Sequence, residues 1–120
     1  MMIEKARGAR EAVQTGITAT TTSKEYKSNG NNAMHLYFNM TAGAGTWTIK
    51  IQGKSPSGIF TDTYDNNGAL MGLESITADR AQLIKFIPER FRIVATEDVN
   101  GATVSVGFEL LTVWGEIKWV

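Results

Sequence analysis

The chain holds one histidine, His35, the only side chain whose ordinary pKa would make it a proton carrier near neutrality. It stands at an outward position of an alternating aromatic stretch. No cysteine nucleophile and no Gly-x-Ser-x-Gly elbow accompanies it, so it reads as a surface or interface histidine. Asp62 and Asp65, with Tyr64, Asn66, Asn67 and Gly68, superficially resemble a calcium loop. Counted from Asp62, the sixth position is Asn67 and the twelfth is Leu73, where an EF-hand needs Gly and Glu. A hydrogen-bonded turn is the simpler reading. Gly43-Ala44-Gly45 neither completes a phosphate loop nor opens a helix. Arg80, Lys85, Arg90 and Arg92 form the densest basic stretch, and Arg90 and Arg92 share the polar side of one strand, where they can meet an acidic partner or simply stay solvated.

Composition narrows the field further. Twelve Lys and Arg balance twelve Asp and Glu among 120 residues, and the pI is about 6.6. That balance argues against nucleic acid or an anionic membrane as the main partner, since both select a basic excess. With no Cys, disulfides, zinc knuckles and iron–sulfur sites drop out, and one His cannot build a multi-histidine metal site. No apolar run approaches the ~18 residues of a membrane span. The opening Met-Met-Ile-Glu-Lys-Ala-Arg lacks the apolar centre of a secretory signal, so synthesis in the host cytoplasm is expected. The expectation is a protein with no catalytic residues, no cofactor and no metal, and not an enzyme.

The elements that would carry these residues are strands. Met34, Leu36, Phe38 and Met40 alternate with His35, Tyr37 and Asn39; Trp47, Ile49 and Ile51 alternate with Thr48 and Lys50. Phe91, Ile93 and Ala95 repeat the pattern, as do Ala102, Val104, Val106, Phe108 and Leu110. A period of two puts each set on one face of a pleated strand. Fourteen Thr and twelve Gly against two Pro, with turn clusters between the runs, agree with an all-β chain. Segments are expected at 14–23, 33–40, 46–53, 58–64, 69–77, 81–87, 90–97 and 102–113, with a ninth at 115–120. Thr41–Gly45 reads as a hairpin connection, Ser55-Pro56-Ser57-Gly58 as a turn with Pro second, and Asn100-Gly101 as a tight hairpin pair. The fold class is therefore a two-sheet β-sandwich or jelly roll of about eight strands. Residues 1–12 form an extended N-terminal arm and 13–120 the sandwich domain. Such an arm orders when something covers it, which makes Met1, Met2, Ile3, Lys5, Arg7 and Arg10 candidates for contact with a partner.

The C-terminus carries Trp114 and Trp119 at opposite parity, so in one strand they face opposite ways. Trp is enriched at interface anchors. With His35, Tyr37, Arg90 and Arg92, these two form the candidate set for self-association.

Two stretches together resemble a known group. Gly45-Thr-Trp-Thr-Ile-Lys-Ile-Gln-Gly-Lys-Ser-Pro-Ser-Gly58 is a strand running into a "QGKSPSG" turn; Ile87-Pro-Glu-Arg-Phe-Arg-Ile-Val precedes Gly101-Ala-Thr-Val-Ser-Val-Gly-Phe-Glu-Leu. The order is similar to small structural proteins of tailed bacteriophages, which pair a "QG-x-DP-x-SG" turn with an "LP-x-x-[WF]-R-V" segment and a "TYSVG"-like strand. The resemblance covers roughly 34–111, with Ser55 where the pattern often has Asp. It implies a virion protein, and among such proteins a capsid decoration (cement) protein on the outer surface of the shell. Its partners would be the major capsid protein and itself, as a homotrimer. A neck or tail completion protein would share these features. A carbohydrate-binding module is a further reading through Trp47, Tyr37 and Tyr64, although the alternation puts Trp47 in the core.

Overall fold

The alternating runs form strands in every case where the pattern was clear, and their apolar faces meet across two sheets. The computed structural model describes the backbone of residues 3–114 and the side chains of 16–113. Ten strands follow in order: β1 (Ile3–Ile17), β2 (Thr21–Thr22), β3 (Tyr26–Lys27), β4 (Ala33–Gly43), β5 (Thr46–Lys54), β6 (Phe60–Asp62), β7 (Gly72–Ile76), β8 (Arg80–Lys85), β9 (Arg90–Val99) and β10 (Ala102–Trp114). The described residues contain no helix.

All pairings are antiparallel. One sheet has the order β1-β10-β4-β8. In the other, β9 and β5 are central; β2 and β3 share the outer edge of β9, and β6 and β7 share the outer edge of β5. Each sheet is thus four positions wide, and the chain crosses between them after β1, β3, β4, β7, β8 and β9. This interleaving is that of a double-Greek-key jelly roll.

The core is built from the faces that the alternation assigns. Met34, Leu36 and Phe38 of β4 and Val104, Val106 and Phe108 of β10 meet Trp47, Ile49 and Ile51 of β5 and Phe91 and Ile93 of β9, all essentially inaccessible. Tyr26, Phe91 and Phe108 form an aromatic triad with centroids 4.9–5.8 Å apart. Burial of each large side chain contributes roughly 1.5–3 kcal/mol. The indole Nε1 of Trp47 is buried without a hydrogen-bond partner. Leaving it so costs about 1–3 kcal/mol of desolvation, which burial of the large apolar ring offsets.

Three local expectations change. The segment expected at 14–23 divides, because β1 ends at Ile17 in one sheet and β2 begins at Thr21 in the other. Thr20 Oγ1 accepts from Glu97 N and Ser23 Oγ from Ile93 N, which holds the crossing segment against β9. Neither Thr41–Gly45 nor Asn100-Gly101 closes a hairpin, since each joins strands of different sheets. The two connections lie against one another: a Cβ on Gly43 would collide with the Gly101 carbonyl, and one on Gly101 would stand 2.6 Å from the Ala44 carbonyl oxygen. The turn after β5 is as expected, with Gly58 N donating to Ser55 O across Pro56 and Ser57.

From Ile3 onward the expected arm, residues 1–12, belongs to β1, which lies along β10 from Ile3↔Trp114 to Ile17↔Val104 with three register shifts. At the far end of β10, Asn32 brackets Val113: its Nδ2 donates to Val113 O (2.8 Å) and its Oδ1 accepts from Val113 N (2.7 Å). One side chain thus replaces a strand partner. Beside it Ala33, Leu111 and Val113, with half-buried Leu83, make a small second apolar cluster on the sheet face away from the main core.

Candidate interaction surfaces

The two sequence stretches that carry the phage resemblance touch each other. Gln52 pairs with Arg92 and Gly53 with Phe91 in the β5–β9 ladder. Arg92 Nε donates to Gln52 Oε1 at 2.7 Å, and Gln52 Nε2 donates to Asp62 Oδ1 at 2.8 Å. A Cβ built on Gly53 would lie 2.8 Å from Pro88 Cγ, so the glycine is what lets the proline ring pack onto β5. The "QG" of one motif and the "P-x-x-F-R" of the other are one packing unit.

On the outer face of the six-stranded sheet this unit extends into a charged lattice. Lys50 Nζ lies 3.3 Å from Asp62 Oδ2, and Lys54 Nζ lies 2.8 Å from Glu25 Oε1. The Arg92 guanidinium sits 4.4 Å from the centroid of Phe60, with Lys54 on the same ring at 5.6 Å. The hydrogen bond from Gln52, reinforced by Lys50, holds the Asp62 carboxyl below its ordinary range; that from Lys54 does the same for Glu25. Thr48 Oγ1 donates to Asp98 Oδ2 and accepts from Ser75 N. These groups satisfy one another and leave no activated nucleophile or base among them.

Asp65 is a turn residue. Its Oδ1 accepts from Asn67 N and Ala69 N, closing the loop between β6 and β7. Among the described residues no group of three His, Asp or Glu is placed to hold a metal ion. Trp47 faces the core and offers no stacking surface, whereas Tyr64 is 59% exposed.

The self-association candidates separate. His35 and Tyr37, ring centroids 6.2 Å apart, lie on the outer face of the four-stranded sheet. Arg90 and Arg92 lie on the outer face of the other sheet, Arg90 exposed and Arg92 half-buried against Phe60. The two pairs are on opposite sides of the sandwich. Trp114 ends β10 opposite Ile3; its side chain lies outside the described set, as do those of Ile3, Lys5, Arg7 and Arg10. Met1, Met2 and Trp119 lie outside the described residues altogether. Sequence reasoning missed Asn32 and the Gly53–Pro88 contact, because each joins residues far apart along the chain; the local hint was the Asn-rich stretch Asn29-Gly30-Asn31-Asn32.

No protein-family model and no curated protein matches this chain. Among solved structures, the SPBc2 prophage-derived protein YomS aligns over 92% of this chain and 95% of its own, with a TM-score of 0.59 and 10% identity. The structure of infectious bursal disease virus Gx strain aligns with 99% of this chain but 32% of its own, at 14% identity and a TM-score of 0.42, too low to carry an argument. At 10% identity, what the chain shares with YomS is the fold, along nearly the whole length of both proteins.

Proposed function

We propose that this chain is a structural protein of a bacteriophage particle, and specifically a decoration protein that binds the outside of the assembled capsid and cements it. The observation that carries the reading is the near full-length likeness of fold to a prophage-derived protein. The contact between the two phage-like motifs supports it, because it gives a physical reason for them to occur together. Jelly rolls serve viral shells among other uses, and a fold alone does not choose between uses.

A cement protein works by area and repetition rather than chemistry. Many weak contacts to the major capsid protein, multiplied by self-association, give tight binding. Because it binds the assembled lattice and not its separated subunits, it stabilises the lattice by mass action. The extended β1, carrying Lys5, Arg7 and Arg10, supplies the shell-facing edge. Self-contact belongs on the outer face of the four-stranded sheet. That face holds the half-buried rings of His35 and Tyr37.

The test is the copy number of this chain in purified particles, by quantitative mass spectrometry against the main shell protein. About one copy per shell subunit is the expected result. A handful per particle would move the protein to the neck or tail, and absence from the particle would overturn the reading.

A further inference from the structure

Among the described strands β8 pairs only with β4, and its other side opens onto a groove of ≈ 720 Å³ whose far wall is the loop from Tyr64 to Gly72. That volume falls within the range of small-molecule sites. The loop is held in shape by its own hydrogen bonds. Tyr64 bridges to Leu70, Asp65 N donates to Ala69 O, and Gly68 N donates to Asp65 O. Met71 N donates to Thr63 O, and Asp65 Oδ1 closes the turn with Asn67 N and Ala69 N. A wall already ordered spares a ligand the entropy of ordering it. Two rings stand out into solvent along the groove, Tyr64 at 59% and Phe86 at 74% exposure. Phe86 also has φ +58°, a left-handed conformation that a bulky side chain adopts only under strain. A phenylalanine held unfavourably in both backbone and hydration gains from a ligand that covers its ring.

The charges of the groove do not converge on one point. By the β4–β8 register Arg80 lies opposite Phe38 and Lys85 opposite Ala33, so the two cations belong to opposite faces of the sheet. Asp65 keeps its negative charge on the loop side. An anion therefore meets no pair of cations here, and a cation meets no pair of carboxylates. What the groove does combine is apolar rings with neutral hydrogen-bonding groups. Asn66, Asn67 and Gln82 bring three side-chain amides, each of which donates and accepts. Gln82 Oε1 accepts from Arg80 Nη2 at 3.4 Å, a contact that leaves both amide protons to donate. A pyranose matches both features: its C–H face stacks on an aromatic ring, and its hydroxyls, each donor and acceptor, suit amide partners. We propose that this groove binds a neutral oligosaccharide, with sugar rings stacked on Tyr64 and Phe86 and hydroxyls bonded to Asn66, Asn67 and Gln82. Of the stacking residues expected from the sequence only Tyr64 belongs to it. Trp47 is in the core, and Tyr37 is half-buried on the outer face of the four-stranded sheet. Sugar binding and copy number in particles are separate measurements, so either reading can fail without the other.

The experiment titrates the full chain, labelled with ¹⁵N, with cellohexaose, chitohexaose and mannohexaose, and with adenosine monophosphate as a ligand that stacks but carries charge. Amide chemical shifts report both the affinity and the place of binding. The expected result is saturable binding of at least one of the three sugars at or below about 1 mM, with shift changes confined to 64–72 and 80–86. Raising the salt about tenfold should leave that affinity unchanged, since a neutral ligand has no charge to screen. Phe86→Asn, which tolerates the left-handed backbone, and Tyr64→Ala should each weaken binding about tenfold without lowering the melting temperature. Tyr64→Phe, which keeps the ring, should bind as the parent does. Saturation by none of the sugars, shift changes elsewhere in the chain, or parent-like binding by both Phe86→Asn and Tyr64→Ala would each overturn the proposal. So would binding of adenosine monophosphate in the groove as tight as that of the best sugar.

Discussion

Replacing Gly53 by Ala adds one methyl group at the contact between the two phage-like motifs. Its φ is not in the left-handed region, so alanine meets no backbone objection there, and sterics alone decide the outcome. The new Cβ would stand 2.8 Å from Pro88 Cγ, 3.1 Å from Pro88 Cβ and 3.1 Å from Thr63 Cγ2, against a comfortable carbon–carbon separation of roughly 3.5–4.0 Å. Relief is hard to find. The proline ring is rigid, and Gly53 is paired on both sides, with Thr61 and with Phe91, so neither backbone can simply retreat. Overpacking of this kind costs about 1–3 kcal/mol, and the two-sided pairing argues for the upper half. Alanine also restricts the unfolded chain, which returns about 0.4–1 kcal/mol. The net expectation is a loss of about 1–2.5 kcal/mol, or a melting temperature lower by roughly 4–12 °C in a chain this size. Thermal and urea unfolding followed by circular dichroism measure it, with an unchanged m-value confirming that the native state is what changed. Pro88→Ala removes the colliding Cγ, so the same Gly53→Ala step should cost at least about 1 kcal/mol less in that background. If Gly53→Ala is as stable as the parent, or costs the same with and without Pro88, the contact does not hold the two motifs together as described.

The other predictions are brief. Asp62 is held below its ordinary pKa by Gln52 and Lys50, so the stability it contributes is complete above its unfolded pKa and disappears as pH falls through its folded value. Asp62→Asn should therefore flatten part of the acid limb of stability between about pH 5 and pH 2, seen in a series of thermal melts. Asn32→Ala removes both hydrogen bonds to Val113 and should cost about 1–3 kcal/mol, with faster amide exchange at Val113 as the local sign. Phe86→Asn should raise stability by about 1 kcal/mol, since it relieves left-handed strain and gives up little buried surface. Lys5→Glu with Arg7→Glu should lower occupancy on purified shells in a sedimentation assay. Removing residues 1–12 would be a poorer test, because it also strips β10 of its ladder partner.

Much of the β-body was legible in the sequence because a side-chain period of two is a local property. Met34 to Phe38, Trp47 to Ile51, Phe91 to Ala95 and Val104 to Leu110 announced both their strands and their buried faces, and Trp47 could be assigned to the core from its neighbours alone. The Ser55-Pro56-Ser57-Gly58 turn was legible for the same reason: four consecutive residues contain its geometry. Strand order is different in kind, since it depends on pairings between residues tens of positions apart that leave no mark on local spacing. Only the tertiary structure decided that Thr41–Gly45 and Asn100-Gly101 cross between sheets, that two-residue strands at Thr21 and Tyr26 complete one edge, and that the whole is a jelly roll. The same reason separates the interface candidates. Parity could say that His35, Tyr37, Arg90 and Arg92 all point away from the core, but the sheet to which each strand belongs put the two pairs on opposite sides of the molecule. It also gave β8 an open edge, with Arg80 and Lys85 at its ends and Phe86 just beyond.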